Sequence, residues 1–301
     1  MAKSKLEDKP KRKIMYPSTL DKLSSCRLQW AWSRKYQTKH TAEPLAFGIA
    51  IHHALERYYG HGESPVKAFM DYAKTQSLEI SVGSGSQQKR FEYENGTQYA
   101  LGIAMMQNYE KRYKVEPFSV IETELEVARR VPVPPDGEQG KSVYSEYFVG
   151  SRLDALVQDD AGRYYVLEHK TFESYYPAAL EQSHQFVIEA YVAAGWLKKP
   201  VAGVIYNGLR KKAVATATTR LFERHTISIN SVMTQNVLRR IYWEMKTMDA
   251  PEFHVYPQPG VMKCNMCEFR GPCLEYSHGG DYEFMLKTLY SAREERDDTW
   301  Q

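Results

Sequence analysis

Long apolar runs are missing from this 301-residue chain. No stretch approaches the ~18 consecutive apolar residues that a membrane-spanning helix requires, and the opening MAKSKLEDKPKRK lacks the apolar core of a signal peptide. A cytoplasmic protein with no membrane role is expected. Cysteine is scarce: four residues, too few and too unevenly spread for a secreted disulfide framework. An excess of one charge is also lacking, since 40 Lys and Arg face 37 Asp and Glu for a net of +3. Bulk charge therefore neither demands nor forbids a polyanionic partner. What is there, 43% hydrophobic and 26% charged residues without an internal repeat, is an ordinary globular mix that excludes wholesale disorder. At roughly 150 residues per domain the chain holds one large or two modest domains.

Residues 1–15 read as a basic, solvated tail, because the first 13 carry six basic and two acidic side chains with almost nothing apolar to repay ordering. Residues 16–116 read as helical. Ser18 is a suitable N-cap for a helix to about Tyr36 with Cys26 in its middle, and further helices are expected at about Pro44–Tyr59, Ser64–Leu78 and Gln87–Tyr113. From 117 to 250 the pattern becomes mixed. Strands are expected in VIETELEVARRV, YSEYFVGSRLDALV, RYYVLEHKTF, VAGVIYNGL and LFERHTISI, and helices at Pro177–Lys198 and Ser231–Met248. Residues 251–301 form a Cys-rich end. This order of elements gives an α/β class with a helical N-terminal subdomain.

The most informative segment is Gly150-Ser151-Arg152-Leu153-Asp154, followed by Asp159-Asp160-Ala161-Gly162 and Val166-Leu167-Glu168-His169-Lys170. With Asp160, Ala161 and Gly162 as a three-residue hairpin loop, Gly supplying its left-handed position, the register sets Asp154 opposite Glu168. Two carboxylates with Cβ atoms about 5 Å apart repel unless a cation lies between them. A hard divalent cation resolves that conflict. Glu168 and Lys170 share a strand face, whereas His169 points to the other and could offer the site only its backbone carbonyl. The competing reading is an exposed hairpin with an ordinary Glu–Lys pair. On the helix upstream, Gly48-Ile49-Ala50-Ile51-His52 is followed by His53, and periodicity alone leaves the two histidines equally eligible as nitrogen ligands.

Cys264-x2-Cys267-x5-Cys273 is a strong metal-ligand spacing, and Cys26 is the remaining cysteine. Thiolate count alone does not separate an iron–sulfur cluster from a structural Zn2+. Basic clusters at Lys198-Lys199, Arg210-Lys211-Lys212 and Arg239-Arg240, with 22 tyrosines, are candidate contacts to a strand with unpaired bases, although each cluster also reads as a solvated face.

The G-x-x-x-D at Gly150–Asp154 and the E-x-K at Glu168–Lys170 resemble the PD-(D/E)XK nuclease superfamily. With G-x-x-x-H at Gly48–His52 and the four-cysteine layout, the chain from about 16 to 276 is similar to RecB-like exonucleases of the iron–sulfur subset, AddB-type helicase-nucleases and CRISPR-associated exonucleases among them. The resemblance implies a restriction-endonuclease-like mixed sheet flanked by helices. It implies Mg2+ or Mn2+ held by His52, Asp154, Glu168 and the His169 carbonyl, with Lys170 as the catalytic cation. It also implies a 4Fe-4S cluster on Cys26, Cys264, Cys267 and Cys273, with Zn2+ as the alternative. The family places a Gln and a Tyr four residues apart on the next helix to contact DNA; this chain offers Gln185 and Tyr191, six apart, with Gln182 as another choice. The expected activity is exonucleolytic hydrolysis of single-stranded or end-containing DNA in repair or recombination. With no G-x-x-x-x-G-K-[ST] motor motif, the chain is expected either to act alone or to borrow a motor from a helicase or recombination partner. The reading from another class is a non-catalytic DNA-binding adaptor that keeps the fold and the cluster.

Overall fold

The computed structural model describes residues 13–39, 43–81, 85–137, 143–174, 177–216 and 220–293. The elements run β1 (Lys13–Met15), α1 (Pro17–Ser25), α2 (Arg27–Lys35), β2 (Tyr36–Thr38), α3 (Glu43–His61), α4 (Pro65–Ser81), α5 (Gly85–Arg112), β3 (Phe118–Pro132), β4 (Tyr144–Asp159) and β5 (Tyr164–Phe172). They continue as α6 (Pro177–Leu180), α7 (His184–Leu197), β6 (Val201–Arg210), β7 (Phe222–Ser228), α8 (Ser231–Asp249), α9 (Val261–Asn265), α10 (Arg270–His278), α11 (Tyr282–Leu289) and β8 (Tyr290–Ala292). A six-stranded mixed sheet has the order β1-β4-β5-β6-β7, with β3 also on β4, and β2 pairs with β8 in a separate two-stranded sheet. The expected α/β class with a mixed sheet and flanking helices is what forms.

The chain divides into two compact units, each discontinuous in sequence: 1–40, 128–150 and 235–301 in one, 41–127 and 151–234 in the other. β3 and β4 each contribute residues to both units.

In the second unit the apolar stripe of α3 (Phe47, Ala50, Ile51, Ala54, Leu55) packs with Ala68 and Phe69 of α4 and Met105, Met106 and Tyr109 of α5. Gly102 is required there, since a Cβ would lie 2.0 Å from the Phe69 ring. Strands β5 and β6 run parallel and β6 and β7 antiparallel. Beneath them Ala155, Val157, Tyr165, Leu167, Ile205 and Phe118 form a second buried cluster. The β4–β5 ladder pairs Ala155 with Leu167, Leu156 with Val166, Val157 with Tyr165 and Gln158 with Tyr164. That is the register inferred from the three-residue loop. Asp159 closes the turn, its carbonyl accepting from Gly162 N–H at 2.9 Å and its carboxylate accepting from the amides of Ala161 and Arg163.

In the first unit two expectations are corrected. Of the expected tail over residues 1–15, residues 1–12 lie outside the described residues, and Lys13–Met15 form β1, parallel to Tyr147–Val149. Lys13 is held there by Asp249, 2.7 Å away. The single helix from Ser18 is two helices: Tyr16 is the N-cap of α1 with Pro17 behind it, and Cys26 is extended (φ −162, ψ 118) between α1 and α2. Tertiary hydrogen bonds override the local pattern, because Arg27 N–H donates to Gln258 Oε1 at 2.9 Å and Leu28 N–H to the Tyr256 carbonyl at 3.2 Å. In the other unit, the expected helix over Pro177–Lys198 is likewise divided, with Ser183 starting α7 from an extended N-cap, a position serine favours.

Gly162 has φ +78, and a Cβ there meets nothing closer than 3.6 Å. Gly162→Ala is therefore expected to destabilise through the backbone alone, by about 1 kcal/mol in urea denaturation, with the β-sheet circular dichroism unchanged.

Candidate active site

Asp154 and Glu168 lie one step beyond the β4–β5 ladder, at the position where the register sets them opposite each other. Both are withdrawn from water, their side chains 11% and 4% exposed. Asp154 Oδ1 is 3.1 Å from His52 Nδ1 on α3, and its Oδ2 accepts the His169 backbone N–H at 2.7 Å. Glu168 Oε1 accepts from Lys170 Nζ at 2.6 Å and from Gln185 Nε2 at 2.7 Å. His52, Asp154, Glu168, Lys170 and Gln185 are thus brought together, all within the second unit.

The two carboxyls are driven apart in acidity, as close like charges must be. Burial pushes the Glu168 carboxyl up to about 7, and the Asp154 charge adds to the shift. Burial acts the same way on Asp154, but the His52 ring and the His169 amide outweigh it and hold this carboxyl below its usual range. Burial opposes the charge on Lys170, and Glu168 more than restores it, so the ammonium is held above its usual range. His52 is raised because Asp154 overcomes the effect of its burial.

Glu189 belongs to the same cluster and has no counterpart in the sequence reading. It is fully buried on α7, its Oε1 accepts from Gln185 Nε2 at 2.7 Å, and its Oε2 has no partner among the described residues. Burial and the nearby Glu168 push its carboxyl well up. Its signal was a single acid in the apolar run QFVIEAYVAA, one helical turn after Gln185. Glu124 was also missed: it carries φ +51, pairs with Arg152, and has its carboxyl raised by burial and by Asp154.

The remaining expected residues separate. His53 sits 3.8 Å from Glu56 and tilts against Tyr72, so geometry favours His52 of the two histidines. Gln182 is exposed in the turn before α7. Tyr191 lies six residues after Gln185, about 240° around the helix, and does not share its face. The His169 side chain is buried on the opposite strand face, as the alternation requires, and burial pushes its imidazole down to about 3. Several basic clusters are engaged internally. Arg239 pairs with Asp136, Arg240 contacts Ser24, Arg210 donates to the carbonyls of Glu173 and Arg220, and Lys199 donates to Tyr164.

The four cysteines belong to the first unit and form no disulfide with one another. Cys26, Cys267 and Cys273 pack on one apolar cluster of Leu28, Trp32, Phe269, Leu286 and Tyr290. Backbone amides of Gln258 and Gly260 donate to the sulfurs of Cys26 and Cys264, each at 3.3 Å. Burial raises the thiols of Cys267 and Cys273, and Cys26 adds to both shifts. Among the described residues, no three His, Cys, Asp or Glu side chains stand in metal-holding geometry.

The raised Glu168 carboxyl has a measurable consequence. The folded chain keeps this proton up to about 7, whereas the unfolded chain releases it near 4.5, so this group stabilises less as pH rises through that window. Glu168→Gln removes the dependence. The melting temperature of the variant minus that of the wild type, in chelator, is expected to be larger at about pH 8 than at about pH 5.

No curated protein matches the chain. Nineteen chains of solved structures match, among them one described as "Crystal structure of SSO0001", 14% identical over 85% of this chain and 82% of that one, with a TM-score of 0.34. The model of one protein family, the PD-(D/E)XK nuclease superfamily, matches residues 16–274. A match over that span, which contains the Asp154, Glu168 and Lys170 site, means that the chain belongs to the PD-(D/E)XK nuclease superfamily.

Proposed function

We propose that this protein is a divalent-cation-dependent DNA nuclease, an exonuclease acting on single strands or free ends. The observation that carries the reading is the juxtaposition of a charged Asp154, a raised Glu168 and a charged Lys170 on one end of the β4–β5 hairpin. Two facing carboxylates with hard oxygen donors suit Mg2+ or Mn2+, with His52 and the His169 carbonyl as further ligands. A cation bound there supplies Lewis-acid charge at the scissile phosphate and eases deprotonation of water.

The chain's own residues do the rest. His52 and the His169 amide fix both oxygens of Asp154, so its carboxylate is oriented before any ligand arrives. Lys170 carries its ammonium against Glu168 and offsets the charge that develops on the phosphate. Gln185 bridges Glu168 and Glu189, which sets the reach of Glu168 toward the site. Tyr191 is assigned a DNA contact on the same reading, from its own face of α7.

The cysteines are read as a 4Fe-4S site that clasps α2 to the Cys-rich end within the first unit, with Zn2+ as the alternative. Four thiols, an apolar wall and two amide donors to sulfur support it. A partner motor in repair or recombination completes the proposal, since the sequence contains no nucleotide-binding G-x-x-x-x-G-K-[ST] of its own.

Wild-type protein purified without oxygen is expected to degrade end-labelled DNA with Mg2+ or Mn2+, single strands faster than duplex. Asp154→Ala and Lys170→Ala are expected to lose at least about 100-fold in rate. No cleavage by the folded wild type would replace the enzyme with the non-catalytic adaptor. Cys26→Ser is expected to lose bound metal and to melt earlier. Iron with equimolar acid-labile sulfide in the wild type supports the cluster, and zinc without sulfide rejects it.

A further inference from the structure

Behind the candidate site lies a buried polar network that the nuclease reading does not use. Asn207 on β6, completely buried, sits beside His169 in the parallel ladder. Its Nδ2 is 2.8 Å from His169 Nδ1 and donates to Tyr109 Oη at 2.7 Å, while its Oδ1 accepts from Arg224 Nε at 3.0 Å. Arg224 is in turn paired with Glu116 and donates to the hydroxyls of Tyr59 and Tyr109. The His169 ring stacks on Tyr59, centroids 5.5 Å apart at 14°, and meets the His52 ring edge-on at 6.0 Å.

These contacts leave one consistent proton arrangement. A guanidinium has only donors, so the Asn207 atom facing Arg224 must be the carbonyl oxygen, and the amide NH2 must face His169. His169 Nδ1 must then accept, which puts its ring proton on Nε2. We propose that Asn207, oriented by Arg224, is a positioning residue that locks His169 as the Nε2–H tautomer and thereby fixes the peptide whose N–H grips Asp154. This rests on the reading of Asp154 as a cation ligand. Such outer partners commonly change metal affinity by about 10- to 100-fold.

Asn207→Asp is nearly isosteric but offers acceptors only, so His169 must protonate Nδ1 to meet it. The full chain with 15N-labelled histidine is compared by NMR, and Mn2+ binding by calorimetry is the second readout. Expected are Nε2–H signals for His169 in the wild type, a protonated Nδ1 in Asn207→Asp, and Mn2+ affinity lowered at least tenfold. The added negative charge would by itself strengthen cation binding, so a fall cannot come from charge. Tyr109→Phe, which spares the Arg224–Asn207–His169 bonds, is expected to keep the tautomer and stay within twofold of wild-type affinity. Should Asn207→Asp fail to fold, Arg224→Lys frees the amide and is expected to give both tautomers with weakened Mn2+ binding.

An unchanged tautomer or unchanged affinity in these position-specific variants overturns the proposal, as does an equal loss in Tyr109→Phe. A wild-type chain that binds no Mn2+ overturns the cation site itself, and the tautomer signals then show that the fault lies with the parent reading rather than with the network.

Discussion

Two carboxylates forced to face each other at the end of one hairpin are the constraint on which the rest of this site depends. The β4–β5 register brings Asp154 and Glu168 together whatever their mutual repulsion, and the surroundings then divide the work between them. One carboxyl is given donors on both oxygens and stays charged; the other is buried deeper and holds its proton to higher pH. A site with one firm anion and one adjustable anion can accept a divalent charge without first having to release two protons.

Stability and chemistry meet at the same strands. The core beneath the hairpin is apolar through Ala155, Val157 and Leu167, while the next two residues of β5, Glu168 and His169, carry polar groups to the two sheet faces. On one face Glu168, Gln185 and Glu189 form a compact acidic cluster; on the other, His169, Asn207 and Arg224 form a neutral-to-cationic one. An unpaired charge in either place would be expensive. His169 Nδ1, the Gln185 and Asn207 amides and the Arg224 guanidinium each have a defined partner, which gives the hairpin end a fixed geometry despite its polarity.

What could be read from the sequence follows the range of the forces involved. The helices α3 to α5 and α8, the strands β3 to β7 and the hairpin register are short-range consequences of periodicity and of a glycine at the right turn position, and they emerge as expected. Asp154, Glu168 and Lys170 are legible because all three sit on that one hairpin. Periodicity alone leaves His52 and His53 equal; the spacing from Gly48 favours His52, and the approach of α3 to β4 sets it against Asp154. Glu189 and Asn207 were hidden for a different reason: each is a single polar residue in an apolar segment, and its meaning comes from a neighbour on another element. The break at Cys26 carries no glycine or proline signal at all; it is imposed by Gln258 and Tyr256, more than two hundred residues away in sequence. Tyr191 failed to join Gln185 for the simplest reason, helical angle.

The tip of the hairpin, Asp160-Ala161-Gly162, is exposed to solvent, the kind of place where chains ordinarily gain and lose residues freely. Here its length acts as a reading frame. One added residue would turn the faces of one strand over relative to the other, and the acid now opposite its partner would look the wrong way. Two would preserve the facing but slide the carboxylates out of reach of each other. Variation at this outermost point is therefore freer in the kind of residue, Gly162 apart, than in their number, a limit set from the buried end of the same two strands.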